Sequence, residues 1–268
     1  MKKNLFTASN IMAIIMMIVM MVSGASLLHN EMESRQQKIE QEEVAKLATE
    51  SIEEISKEIP EETKAEEDDS YVSPINFEAL QAKNEDVVGW ISIPDTNIDY
   101  PILHDAEDNE KYLHTDFEGK ENQYGAIYLD SDSEQDFSSW NNPIYGHHMK
   151  DGSMFKDIVK FKDEQFFKTH QFFEIYTPER TIHLKAVSCY YTDANGIARK
   201  TQFESQKTFD AWVQDRLEPC TYAEIPGESV KSIFTFVTCS YEKQNARTLL
   251  FAVEVDENGN VISAEKNV

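Results

Sequence analysis

The sequence predicts a mostly β domain that follows one membrane-spanning helix and an acidic connector. Three observations carry this. Runs rich in Val, Ile, Phe, Tyr and Thr recur between residues 90 and 255 and are separated by polar stretches, the pattern of short strands joined by turns. Helical spacing is confined to a few segments. One long uncharged apolar run, residues 11–28, stands near the N-terminus.

That run follows Lys2 and Lys3, and its eighteen residues rise roughly 27 Å as a helix, close to the ~30 Å hydrocarbon core of a bilayer. Positive charge before it and acidity after it predict a cytoplasmic N-terminus and an extracellular domain. A cleaved signal peptide is the competing reading, because Ser23 and Ala25 form a small-x-small site. The apolar stretch runs on past that site, which favours a retained anchor over residues 1–28. Residues 29–70 carry fifteen acidic against five basic side chains and read as a solvated stalk. Within it Leu47, Ile52, Ile55 and Ile59 recur at loosely helical spacing, and Pro60 ends the pattern.

Residues 71–268 suffice for one core and form one expected domain. Strands are predicted at 90–93, 99–104, 126–130, 143–147, 172–177 and 181–192, and in the two runs on either side of 240–246. Helices are predicted at 77–83, around 154–161 and at 205–217, where Phe209, Trp212, Val213 and Leu217 form one apolar stripe that suits core packing. The whole chain has a net charge of −24, of which the stalk contributes −10. Such acidity excludes an electrostatic nucleic-acid footprint. It suits a cationic partner, although a solvated surface explains it equally.

The chemistry centres on Cys239, which ends the run Ser232-Ile-Phe-Thr-Phe-Val-Thr-Cys239. Arg247 opens the next run eight residues later. If the two runs pair antiparallel, thiol and guanidinium become neighbours. A nearby cation favours the thiolate, and a guanidinium can stabilise the oxyanion formed when sulfur attacks a carbonyl. A buried structural cysteine beside an edge arginine has the same local sequence, so a proton-exchanging histidine is needed to distinguish them. His147 is the candidate, because it ends a strand-like run, follows Gly146 and opens a polar loop. His147 and His148 as a metal pair lack zinc spacing and point to opposite faces of a strand. His104, His114, His170 and His183 read as surface or strand residues.

Tyr145-Gly-His147-His-Met-Lys-Asp-Gly-Ser-Met-Phe155, Thr235-Phe-Val-Thr-Cys239 and Arg247 together resemble a sortase, and more narrowly a class B sortase. The resemblance extends upstream through Asn84-Glu-Asp-Val-Val-Gly-Trp90-Ile-Ser-Ile-Pro-Asp-Thr-Asn-Ile-Asp-Tyr-Pro101 and Asp108-Asn-Glu-Lys-Tyr-Leu113, so that it covers about residues 75–257. Phe236 stands where the family's Thr-Leu-x-Thr-Cys has Leu, an apolar exchange that alters packing rather than chemistry.

The resemblance implies an eight-stranded sortase β-barrel with a few peripheral helices. It also implies His147, Cys239 and Arg247 as catalytic residues, and Asn109, Leu113, Thr192, Ile197 and Thr238 near the bound peptide. Asn109, Leu113 and Ile197 fit ordinary loop or core packing equally well. The implied activity is that of a membrane-anchored cysteine transpeptidase without a cofactor. It cleaves a C-terminal Pro-x-Thr-type sorting signal of secreted proteins after Thr, forms a thioester and transfers the protein to a cell-wall amine. A pilus-assembling sortase and a tethered non-catalytic binding module are the alternatives. Papain-like and amidase-type cysteine peptidases place Cys before His, whereas His147 precedes Cys239 here. Cys189 and Cys220 could pair as a disulfide, but the fold does not require one and both are expected reduced.

Overall fold

A computed structural model describes residues 8–58, 71–194, 199–240 and 245–264. The chain divides into two compact units, Met1–Glu43 and Val44–Val268. In the first, helix α1 (Ala8–Glu58) begins, and its apolar run makes the only helix among the described residues long and apolar enough to cross a membrane. Farther along the same unit Arg35 pairs with Glu31 at 2.7 Å, one helical turn apart on an exposed face.

The second unit is built on a closed barrel of eight strands. They are β1 (Val87–Ser92), β2 (Asp99–Leu103), β3 (Ile127–Leu129), β4 (Asn141–Tyr145), β5 (Phe172–Tyr176), β6 (Thr181–Asp193), β7 (Ile233–Ser240) and β8 (Ala246–Val255). Their order around the barrel is β1-β2-β3-β4-β7-β8-β6-β5, and β5 returns to β1. The β2–β3 and β4–β7 pairs are parallel and the others antiparallel.

Alternation along the strands sorts their side chains between two faces. Phe234, Phe236, Leu250, Ala252, Ile144 and Cys189 fill the barrel interior with Phe155, Phe161 and Phe173. Val237, Leu249, Phe251 and Val253 face outward beneath Phe209, Val213 and Leu217 of α5 (Gln206–Leu217), the stripe that the spacing predicts. Ser205 caps α5 by accepting from Thr208 N–H while the Thr208 hydroxyl accepts from Ser205 N–H, a reciprocal capping box. Each such fully buried aromatic or aliphatic side chain contributes ~1.5–3 kcal/mol through removal from water.

A third cluster lies outside β1, β2 and β3, where Trp90, Leu103, Tyr112 and Tyr128 pack with Phe77 and Leu80 of α2 (Phe77–Gln81). Val44 and Ala48 of α1 are buried in this cluster, and the Ala48 carbonyl accepts from Asn76 N–H at 2.8 Å. The stretch 44–49, assigned from composition to a solvated stalk, therefore packs on the domain. Its small and β-branched side chains fit close to the barrel wall, which the charge count of the stretch does not register. Ile52, Ile55 and Ile59 lie outside the residues whose side chains are described.

The helical segment around 154–161 is a 3-10 helix, Phe155–Lys162. Two short helices appear where none is predicted, α3 (Lys111–His114) and α4 (Glu164–Thr169). Asp163 caps α4 by accepting from Phe166 N–H at 2.9 Å. No disulfide joins Cys189 to Cys220, both of which are buried.

Candidate active site

The register of four adjacent strands assembles the site. Tyr145 of β4 is the parallel partner of Val237 of β7, and Gly146 N–H continues that ladder to the Val237 carbonyl at 3.2 Å. Two residues on come His147, in the loop just past the end of β4 rather than on the strand expected to run to 147, and Cys239, still on β7. Cys239 is in turn the antiparallel partner of Arg247 on β8, and Arg247 is the partner of Thr192 on β6. Because side chains repeat every second residue, the row His147, Cys239, Arg247, Thr192 occupies the outward face that carries Tyr145, Val237, Leu249 and Tyr190 one step below.

Gly146 is required where β4 passes the core. A Cβ there would collide with Ile127 Cδ1 and approach Phe155 Cγ to 2.7 Å. The loop after it folds back on itself. Phe155 N–H donates to the His147 carbonyl at 2.8 Å, and Met154 N–H donates to the Tyr100 hydroxyl at 3.0 Å.

His147 Nε2 lies 2.9 Å from the Leu113 carbonyl. A carbonyl only accepts, so Nε2 carries a proton and Nδ1 is the ring nitrogen that remains for proton exchange. Leu113 thus reaches the site through its main chain, while its side chain packs at the edge of the cluster outside β1–β3. Helix α3, which presents that carbonyl, is tied down by charge. Lys111 Nζ bonds Asp86 at 2.6 Å and Asp105 at 2.9 Å, and the Tyr112 hydroxyl donates to Asp86 at 2.5 Å. The Lys111 contact, joined by the Glu107 and Asp108 amides, holds the Asp105 carboxyl down to about 2. Burial, reinforced by Asp86, pushes the Tyr112 phenol up to about 12.

Of the other residues expected near a peptide, Asn109 uses its side-chain oxygen to accept from Ser131 N–H at 2.8 Å, a loop-shaping contact. Thr192 is half-buried at the end of the row. Thr238 is buried on the interior face shared with Phe236, opposite Thr248. Its hydroxyl therefore lies behind Cys239. Ile197 lies outside the described residues. Cys239 is partly exposed, unlike Cys189 and Cys220, and Arg247 Nη1 donates to its neighbour's carbonyl, Ala246 O, at 3.1 Å.

Sequence reasoning missed two features. His148 Nδ1 donates to the main-chain carbonyl of Cys239 at 3.0 Å, so the second histidine of the pair also serves the site. Its adjacency to His147 was the available signal. The other feature is a fully buried carboxylate, Asp130, that accepts from the Tyr145 hydroxyl at 2.6 Å and from Arg199 Nε at 2.8 Å. Nothing local in the sequence marks it.

Residues 91–255 match the family model described as the sortase domain. The chain belongs to the sortase family. Among its relatives, Sortase B of Listeria monocytogenes is 35% identical over 165 residues, 61% of this chain and 67% of that protein. Sortase B of Staphylococcus aureus in a substrate complex superposes with a TM-score of 0.70 at 25% identity, covering 84% of this chain and 99% of that one. The Bacillus anthracis sortase B structure gives 0.68 at 27% identity, covering 84% and 99%. This sortase therefore falls with the class B members in sequence and in barrel topology, and its enzyme class is that of the cysteine transpeptidases.

Proposed function

We propose that Cys239 is the nucleophile, His147 the proton donor and Arg247 the oxyanion and substrate clamp of a transpeptidase acting on C-terminal sorting signals. The observation that carries this is the placement of Cys239 between the continuation of β4 at His147 and its direct cross-strand partner Arg247. The Cys239 thiolate attacks the carbonyl carbon of the signal's threonine, and the C=O electrons move onto oxygen beside the Arg247 guanidinium. Collapse of that oxyanion breaks the C–N bond. The departing amine takes the Nδ1 proton of His147, which enters this step as the imidazolium paired with the Cys239 thiolate and leaves it neutral, its Nε2 proton still held by the Leu113 carbonyl. The product is a thioester on Cys239. A cell-wall primary amine then attacks the thioester carbon, loses its proton to His147 and releases the thiolate. Water in its place gives hydrolysis.

Asn109, Leu113, Thr192, Ile197 and Thr238 are carried as peptide-site residues, with Leu113 acting through its carbonyl and Thr238 through the strand behind the thiol. Residues 1–28 serve as the cytoplasmic tip and membrane anchor, with the acidic connector to residue 70 and the catalytic domain of residues 71–268 outside a Gram-positive cell membrane. The acidic surface suits a cationic amine acceptor.

Mass spectrometry of the full chain mixed with a peptide library of Asn-Pro-x-Thr sequences tests the reading. The expected result is a covalent adduct whose mass equals the peptide's N-terminal fragment, present in the wild type and absent from Cys239→Ala. Undiminished cleavage by Cys239→Ala would end the proposal.

A further inference from the structure

The described chain leaves β6 at one flank of the catalytic row and is next described at the other. Thr192 and Asp193 pair with Arg247 and Ala246 on β8, and Ala194 N–H donates to the Asn245 carbonyl at 3.0 Å. Arg199, by contrast, is held beside β3 and β4. Its Nε and Nη2 grip the two oxygens of Asp130 at 2.8 and 3.2 Å, and Nη2 also lies 3.4 Å from Asp132 Oδ2.

Asp130 follows β3, is 0% exposed, and its N–H donates to the Pro143 carbonyl of β4 at 2.9 Å. Its Oδ2 also accepts from Tyr145, which stacks on Tyr128 at 5.1 Å and lies two residues before His147. The chain beyond Arg199 is pinned to the same strand. Asn141 Nδ2 donates to the Lys200 carbonyl at 3.1 Å while Asn141 Oδ1 accepts from Thr235 at 2.7 Å, and Phe203 packs on Trp140 at 6.1 Å.

A buried carboxylate is costly unless paired and hydrogen-bonded, and the Arg199 guanidinium supplies the only opposite charge seen on Asp130 among the described residues. Surface ion pairs with one exposed arm usually contribute little, but this pair is bidentate and its acid lies wholly inside the protein. Arg199 itself is only half withdrawn, with 45% of its side chain exposed on the outer face. The contact therefore fixes an outer-face segment to a rigid interior point, one hydrogen bond away from the tyrosine below His147.

We propose that Arg199 is a positioning residue for this sortase, and that its bidentate clasp on Asp130, shared with Tyr145, sets the segment entering α5 against the His147 end of the catalytic row. The clasp thereby governs how the sorting peptide is held rather than the bond-breaking step. This rests on the transpeptidase reading above. Displacing a positioning element by about 1 Å costs up to a hundredfold in productive alignment.

The test is steady-state cleavage of the best peptide of the Asn-Pro-x-Thr library by the full chain. Arg199→Ala is expected to raise KM on the order of tenfold with kcat within about twofold, and Arg199→Lys to recover part of the loss, because a point charge replaces the fork. Asp130→Asn combined with Arg199→Ala is expected to be no worse than the poorer single variant, the signature of one shared interaction. If Asp130→Asn does not fold, the two Arg199 variants decide alone. A KM equal to wild type in Arg199→Ala, with only the melting temperature lowered, overturns the clasp and leaves a structural ion pair. Absence of any cleavage by the wild type, across the library, overturns the functional reading instead.

Discussion

Cys239 and Arg247 are direct partners across the β7–β8 ladder, so thiol and guanidinium are attached to facing positions of one antiparallel pair. Their spacing is set by backbone hydrogen bonds rather than by the conformation of the chain between them. Arg247→Lys keeps the charge but loses the planar fork. Its kcat/KM for the sorting peptide is expected to fall on the order of a hundredfold, with stability within about 0.5 kcal/mol of wild type. Wild-type turnover by this variant would remove the oxyanion role.

Gly146→Ala forces a methyl group against Ile127 and Phe155, both fully buried. Overpacking of this kind costs ~1–3 kcal/mol and displaces the adjoining backbone. Urea unfolding and peptide turnover are both expected to decline, because His147 follows directly. An unchanged unfolding midpoint would show that the strand accommodates the methyl group.

His148 holds the carbonyl of the nucleophile's own residue. His148→Ala is expected to slow thioester formation by about threefold to tenfold, the rate equivalent of one hydrogen bond of ~0.5–1.5 kcal/mol. His148→Asn, whose side-chain N–H lies near the position of Nδ1, is expected to restore most of it. Stopped-flow acylation separates the two, and equal rates in His148→Ala and wild type would make the contact incidental.

Asp105 has a folded-state pKa depressed to about 2 by Lys111 first and then by two backbone amides. A depressed carboxylate stabilises the fold above its unfolded value near 3.9, and that contribution is lost as pH falls through the folded value. Wild type should therefore exceed Asp105→Asn in stability at pH 5, with the gap closing between about pH 4 and pH 2. Urea titrations at pH 5, 3 and 2 measure this. A gap independent of pH would mean that Asp105 acts by shape alone.

The strands were legible because each carries its own signal. β-branched and aromatic runs bounded by polar turns foretell every strand near its observed place, and the Phe209, Trp212, Val213, Leu217 stripe foretells α5. The helices α3 and α4 were not legible. Four and six residues are too short to show a period, and α3 is held by Asp86, 25 residues before Lys111 in the chain. The burial of Val44 and Ala48 was hidden for a related reason, since acidic composition outweighs two apolar positions in any local count.

The sequence by itself determined the order His147, Cys239, Arg247, the strands that carry Cys239 and Arg247, and the apolar helix before the domain. Only the tertiary structure decided which partners surround them. Leu113 receives His147, His148 supports Cys239, and Asp130 joins Tyr145 to Arg199 across 15 and 69 residues of chain. Strand propensity and alternation act between neighbours and can be read along the chain. Barrel closure and a buried ion pair act between residues that become neighbours only when β4, β7 and β8 align, and no local pattern encodes that meeting.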